Sequence, residues 1–336
     1  MRVLTAFLVY FVFTMAVYGK AGRDRFAAKR DSTYIESYYK DLIVRIYSDQ
    51  KTHSLELNDL ANPYRLRYLP NGYINIGLGV DYRFFGVSLA TRIPFLGNND
   101  TKYGKTKRFG IQSYYYTNRF TFDFLSSFSK GYYLTNSFEH LASYNKDLEY
   151  KRPDMASSNI GLSVNYVFNN TRFSCKAAFT DTDWQKKNAG SFLAGASILS
   201  YRTRADSAFV PRGINDLLFT KSRNISKSGI LAFNINGGYA YTLVFLKNGM
   251  VTLSYMGGAG VQKDQFNTTS GEGQINWRVS FNQTGRAGIG YRYRRYDVKV
   301  VIIRSTQYTS LTMNDLRIEN GIDYVQLSLS RRLSFR

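Results

Sequence analysis

Two histidines, His53 and His140, and one cysteine, Cys175, are the whole supply of imidazole and thiol in 336 residues. His140 and Ser143 are spaced i, i+3, and His53 adjoins Ser54. A lipid hydrolase built on a membrane barrel needs Ser and His together on the outer surface of a strand, oriented by a third polar group. Neither pair lies on a clear strand facing lipid, so a lipid hydrolase is the alternative reading and a non-enzymatic protein the leading one. No His, Cys or carboxylate cluster has the spacing of a metal site, and no cofactor is expected. Cys175 shares a face with Phe173, Ala177 and Phe179, which reads as a small apolar residue turned to lipid. Gly77-Leu78-Gly79 and Gly288-Ile289-Gly290 fall inside strand patterns and lack the strand-to-helix turn of a phosphate loop.

The charged residues offer more. Lys plus Arg total 45 against 24 acids, a formal balance of +21. Many sit at turns, such as Arg23, Arg25, Lys29, Arg30, Lys102, Lys105, Lys107 and Arg108, placed to meet water or lipid phosphates. Alternation puts Arg278, Arg286, Arg292 and Arg294 on the inward faces of neighbouring strands, with Asp81 and Asp123 also inward. These are candidates to line a lumen. Buried arginines without partners are too costly, so either the acids pair with them across the lumen or water fills it and biases it toward anions. Cross-lumen pairing is the preferred reading. Trp184 with Lys186 and Lys187 marks a rim or interface. The preferred reading is an anchor with Trp at the membrane boundary and Lys at the headgroups; binding of lipopolysaccharide phosphate or of another envelope protein is the second.

The elements that must position these residues are strands. In 74–82 every even position from Ile74 to Tyr82 is apolar and every odd one small or polar; 160–168 and 275–281 repeat the pattern. Candidate strands fall at 42–48, 73–82, 84–93, 106–117, 120–130, 157–168, 172–181, 190–203, 228–246, 249–262, 273–282, 286–297, 299–310 and 321–335. Many are about twice the ~5–6 residues usual in soluble sheets, and a tilted membrane strand needs ~9–11. In 228–246 one face carries Leu231, Phe233, Ile235, Tyr239, Tyr241, Leu243 and Phe245, the other mostly small or neutral polar residues. A sheet in hydrocarbon survives only when closed on itself, and Tyr-rich strand ends suit interfacial girdles. Asn169-Asn170-Thr171, Lys247-Asn248-Gly249 and Asn282-Gln283-Thr284-Gly285 read as tight turns. Asn136–Pro153, Tyr201–Lys227 and Gln262–Glu272 read as long loops, with a short helix in 137–150. The final strand is amphipathic, ending at Phe335 before Arg336, with Arg331 interrupting its apolar face.

Met1-Arg2 precedes an uncharged apolar run, Val3–Val17, too short to span a bilayer and suited to an export signal ending near Gly19. The organisation expected is a signal peptide at 1–19, a basic segment at 20–40 and an outer-membrane barrel at 41–336. An exported chain has no nucleic-acid partner to meet.

Several stretches resemble an uncharacterised outer-membrane family of Bacteroidota known only as a domain of unknown function. They are Tyr68-Leu69-Pro70-Asn71, Tyr103-Gly104-Lys105-Thr106, Arg152-Pro153-Asp154, Tyr166-Val167-Phe168-Asn169 with Phe173-Ser174, and Trp184-Gln185-Lys186-Lys187-Asn188-Ala189-Gly190-Ser191-Phe192, with Asp206 and Pro211. Asn188 stands where Ser is more usual. The resemblance spans roughly Tyr38 to the carboxyl end; it implies an outer-membrane β-barrel and supplies no catalytic residues. The expectation is therefore an all-β, antiparallel up-and-down transmembrane barrel of ~12 strands (10 to 14). It would serve as a narrow or plugged pore or as an envelope assembly or anchoring component, with outer-membrane lipid and lipopolysaccharide as its surroundings.

Overall fold

The computed structural model describes residues 30–38, 40–82, 85–93, 96, 99–311 and 315–334. The expected export signal and the terminal Phe335 lie outside them. The strands are β1 (Ile35–Ser37), β2 (Leu42–Asp59), β3 (Tyr64–Leu69), β4 (Asn75–Tyr82), β5 (Phe85–Arg92), β6 (Lys107–Tyr116), β7 (Phe120–Leu134), β8 (Tyr150–Val167), β9 (Asp183–Gln185), β10 (Ala189–Arg204), β11 (Ile225–Phe245), β12 (Gly249–Thr268), β13 (Gly273–Tyr293), β14 (Tyr296–Leu311) and β15 (Leu316–Leu333). Three short helices, α1 (Asp100–Tyr103), α2 (Ser137–His140) and α3 (Cys175–Phe179), lie between them. No helix among the described residues is long and apolar enough to cross a membrane.

A single antiparallel sheet of 13 strands contains all but β1 and β9, and it closes on itself through β15 and β2. The closing seam runs without interruption from Leu42↔Leu333 to Asp59↔Leu316. The start of β2 and the finish of β15 therefore lie at one end, called here the terminal end; the opposite end carries the connections that follow β5, β7 and β10. The long β2 is shared: its first half pairs with β4 and its second half with β3. On its far side β3 reaches β7 through Tyr68↔Leu134 and Leu69↔Tyr133. At the terminal end the wall thus runs through β4, β5 and β6, giving twelve strands, while at the loop end β3 replaces those three and leaves ten. Gly131 makes the switch possible. Its φ of 94° bulges β7 where β6 leaves it, and a Cβ there would strike the Lys105 carbonyl.

Along β2 the outward residues are Val44 and Ile46 near the terminal end, but Ser54, Glu56 and Asn58 near the loop end. The inward set does the reverse, from Arg45 to Leu55 and Leu57. In β15 Val325, Leu327 and Leu329 face out, whereas Leu316 and Ile318 face in. So the terminal half is apolar outside and polar inside, which is how a barrel sits in lipid. The loop half is filled by an apolar cluster that includes Leu57, Leu66, Tyr68, Leu134, Met155, Phe209, Phe219 and Ile318. Outside it, Arg65 and Arg67 bond Glu56, Arg304 and Arg67 flank Asp323, and Arg317 bonds Glu319. Strands of 20 and 21 residues, such as β11, β12 and β13, are long enough to serve both halves.

Several expectations are corrected. Asn282–Gly285 is no turn: β13 runs through it, because Asn282 and Thr284 face the polar interior while Gly285 faces out, and β12 and β14 hold the ladder on both sides. Most of the expected 262–272 loop is strand β12. The 172–181 strand is replaced by α3, and Cys175 is buried inside the barrel instead of facing lipid. Asn169-Asn170-Thr171 does not close a hairpin. The Asn169 amide bonds the Gly190 carbonyl at 2.8 Å and the Asn170 amide the Val167 carbonyl at 3.1 Å, and the chain leaves the wall there.

Candidate functional site

The segment from 169 to 188 folds back into the terminal end of the barrel. There β9 pairs with β1, Ile35↔Gln185 to Ser37↔Asp183, so the leader residues and this crossover together form an internal stopper. Ser174 caps α3 by accepting from the Ala177 amide, and the α3 residues Lys176, Ala177 and Ala178 are all buried.

Charged side chains hold the stopper to the wall. Asp181 accepts from Ser330 at 2.9 Å and lies 3.0 Å from Lys299 Nζ and 3.4 Å from Arg45 Nη1. Arg45 also lies 3.4 Å from Asp81 and donates to the Tyr114 hydroxyl at 3.0 Å, and Tyr114 donates to Asp81. Lys299 donates to the Ala177 carbonyl at 2.9 Å and to that of Thr180. The side chains of Arg45, Asp81, Asp181 and Lys299 are each at most 5 % exposed. Asp183, fully buried, is met by Arg30, by the hydroxyls of Ser174 at 2.5 Å and Ser37 at 2.8 Å, and by Lys176 at 3.6 Å. Burial would raise its carboxyl, but Lys176 and Arg30 beside it hold it below the usual carboxylate range.

Arg278, Arg286 and Arg292 face inward as expected, and each has a carboxylate. Arg286 meets Asp123 at 3.0 Å with Tyr116 at 3.1 Å; Arg278 meets Asp264 at 3.1 Å; Arg292 forks onto Asp297 at 2.6 and 2.8 Å. Asp81 is inward too, but its arginine is Arg45, which the sequence reading did not single out. Arg294 does not line the interior. It takes the left-handed conformation, φ 54°, at the β13–β14 turn, where its side chain is exposed. Trp184 is no interfacial anchor. It is 3 % exposed within the stopper, against Ala177 and Met250, with the Arg292 guanidinium 4.1 Å from its ring. Lys186 and Lys187 stay exposed beside it, Lys186 donating to the Ser32 carbonyl at 2.8 Å and Lys187 lying 5.2 Å from the Tyr34 ring.

The residues missed by sequence reasoning are Arg45, Lys299, Asp264 and Asp297 on the wall and Lys176, Asp181 and Asp183 on the stopper. Arg45 carried a signal, being a lone charge amid Ile43, Val44, Ile46 and Tyr47. Between stopper and apolar cluster a cavity of about 130 Å³ remains, lined by Lys51, Gln112, Asp123, Asn159, Asn236, Arg286 and Tyr324 among others.

The histidines form no hydrolytic pair. His53 faces in, bonded to Asn159 at 3.1 Å, while the adjacent Ser54 faces out, as neighbours on a strand must. His140 Nδ1 meets the Tyr64 hydroxyl at 2.6 Å. No group of three or more potential metal ligands occurs among the described residues.

No curated protein matches the chain. Among solved structures it is similar to the outer membrane protease OmpT of Escherichia coli, at 10% identity and a TM-score of 0.41, covering 89% of this chain and 98% of that one. It is also similar to the β domain of the Bordetella autotransporter BrkA, at 13% identity and TM-score 0.36, with 86% and 99% covered. The toluene transporter TodX of Pseudomonas putida gives 7% identity and TM-score 0.26, with 88% and 91% covered. These likenesses go no further than the barrel. From residue 29 to residue 330 the sequence fits one family profile, and the chain belongs to the family described as Domain of unknown function (DUF4421).

Proposed function

We propose that the chain is an integral outer-membrane protein that works as a closed, non-enzymatic barrel: an anchoring or assembly component of the envelope, not an open pore. The signal at 1–19 would export it, and the outward apolar belt of the terminal half would hold it in lipid. The exposed Lys186 and Lys187 at the terminal end would meet headgroup phosphates, in keeping with the Bacteroidota outer-membrane resemblance of the sequence.

The observation that carries this reading is the buried network of Arg45, Asp81, Asp181 and Lys299, which ties the stopper to β2, β14 and β15 directly and to β4 through Arg45. A displaced stopper would strand these charges, and removing one partner of a buried pair costs about 3–5 kcal/mol. The apolar cluster closes the other end. Planar-bilayer recording tests the proposal: wild-type protein adds no steady conductance, whereas Asp181→Ala combined with Asp183→Ala gives intermittent openings. Stable open steps from the wild type would sink it.

A further inference from the structure

The barrel wall is not sealed all the way round. Among the described residues every other neighbouring pair in the twelve-strand ring is joined by eight or more residue pairs, but β5 and β6 are joined only by Phe85↔Tyr115 and Gly86↔Tyr114. Above these two pairs the strands part. Ala90 on β5 and Gly110 and Gln112 on β6 belong to the inward set, yet all three are exposed, whereas inward residues elsewhere, such as Ser197 and Asn236, are buried. Unpaired strand edges are costly in hydrocarbon, so a slot of this kind calls for a reason.

The register supplies one. Continuing the ladder from Gly86↔Tyr114 would set Arg92 directly opposite Arg108, and like charges in that position repel. Tyr73 lies between them, with the Arg92 guanidinium 3.5 Å and the Arg108 guanidinium 6.0 Å from its ring centre. Arg108 is held by the carbonyls of Lys51 and of Asn71, the latter at 3.4 Å. Lys51 reaches the slot from β2, bonding Gln112 at 2.7 Å. Among the described residues none of Arg92, Arg108 and Lys51 has a carboxylate within 4.0 Å. Asp49, on the same face as Lys51, is bonded to Asn75 at 2.6 Å. This sets the slot apart from Arg45, Arg278, Arg286 and Arg292, which all have acids. Outside the slot, Val87, Leu89 and Phe109 are exposed on the outward face; inside it, Lys51 and Gln112 border the 130 Å³ cavity.

We infer that the β5–β6 slot is a lateral binding site for an anionic single-chain amphiphile drawn from the bilayer. The headgroup carboxylate or phosphate sits among Arg92, Arg108 and Lys51, and the chain lies along Leu89 and Phe109. This goes beyond the closed-barrel proposal and stands if that proposal fails, because the slot opens sideways and not along the axis.

Full-length protein in nanodiscs of zwitterionic lipid tests it. The probes are a fluorescent single-chain fatty acid, its methyl ester, and inorganic phosphate as competitor. The acid binds at least about tenfold more tightly than the ester, and Lys51→Gln with Arg92→Gln removes that preference. Equal binding of acid and ester, or an unchanged preference in the double variant, overturns the inference. Displacement by inorganic phosphate alone assigns the cluster to a free anion and overturns the lipid source. A second variant guards against misfolding as the cause: Gln112→Cys keeps binding until a bulky thiol reagent occupies the slot, then loses it. Undiminished binding after full modification also overturns the site.

Discussion

The terminal and loop halves of this barrel are built by opposite rules on the same strands. In the loop half, Leu57, Leu66, Tyr68 and Phe209 pack inside, while outside Arg65 and Arg67 pair with Glu56 and cover it, as in a soluble domain. In the terminal half Val44, Ile46, Leu327 and Leu329 face out, and the inside is held by buried ion pairs. In β2 and β15 the backbone alternation continues unbroken from one half to the other, and only the side that is apolar changes. The environment outside decides which physics stabilises the inside. Where water surrounds the wall, burying apolar area drives packing. Where lipid surrounds it, apolar packing gains little, and the stopper is secured by charge and hydrogen bonds instead.

That contrast can be tested from its largest expected consequence downward. Asp181→Leu leaves Lys299 and Arg45 short of a partner and should cost about 3–5 kcal/mol in urea unfolding of vesicle-inserted protein; a change below about 1 kcal/mol would mean the terminal half is wet. Leu66→Ala in the loop half should cost about 2–5 kcal/mol by cavity formation, with no change in insertion into vesicles. On the outer surface, Leu327→Lys should cost about 2–4 kcal/mol if it lies near mid-bilayer, while Arg317→Leu at the loop end should stay within about 0.5 kcal/mol. Equal costs at these two positions would erase the boundary between the halves. The smallest effect is one of pH. Because Asp183 is held below its ordinary range, its pairing stabilises the stopper above the unfolded carboxyl value of about 3.9 and is lost as pH falls below that. In a Trp277→Phe background, acrylamide quenching of Trp184 should stay flat from pH 8 to 5 and rise below about pH 4.

The strands were legible because period-2 alternation is a local signal. The reversal was legible too: the apolar set in β2 passes from even positions at Val44 and Ile46 to odd ones at Leu55 and Leu57, so a search for one continuous apolar face stopped at 48 and missed the second half of β2 and all of β3. Inward orientation held for Arg278, Arg286 and Arg292, which share one strand with an unbroken ladder. It failed for Arg294 because the parity was carried past the end of that strand into a turn. The stopper was not legible. Residues 169–188 look like an ordinary strand with turns, and nothing local says that Asp181 and Asp183 will meet Arg45, Lys299 and Arg30 from distant parts of the chain. Arg45 and Lys299 are brought to Asp181 by ring closure, a property of the whole sheet.

The uninterrupted seam between the first and last long strands bears on how the molecule is made. Until β15 exists, β2 has no partner on that side, and the open sheet would leave two rows of bare amides and carbonyls, on β2 and on its growing edge, against acyl chains. Growth from the amino terminus therefore gains no stable foothold in the bilayer. A chain stopped before residue 316 should remain outside the membrane altogether, a binary outcome set by a geometric closure condition.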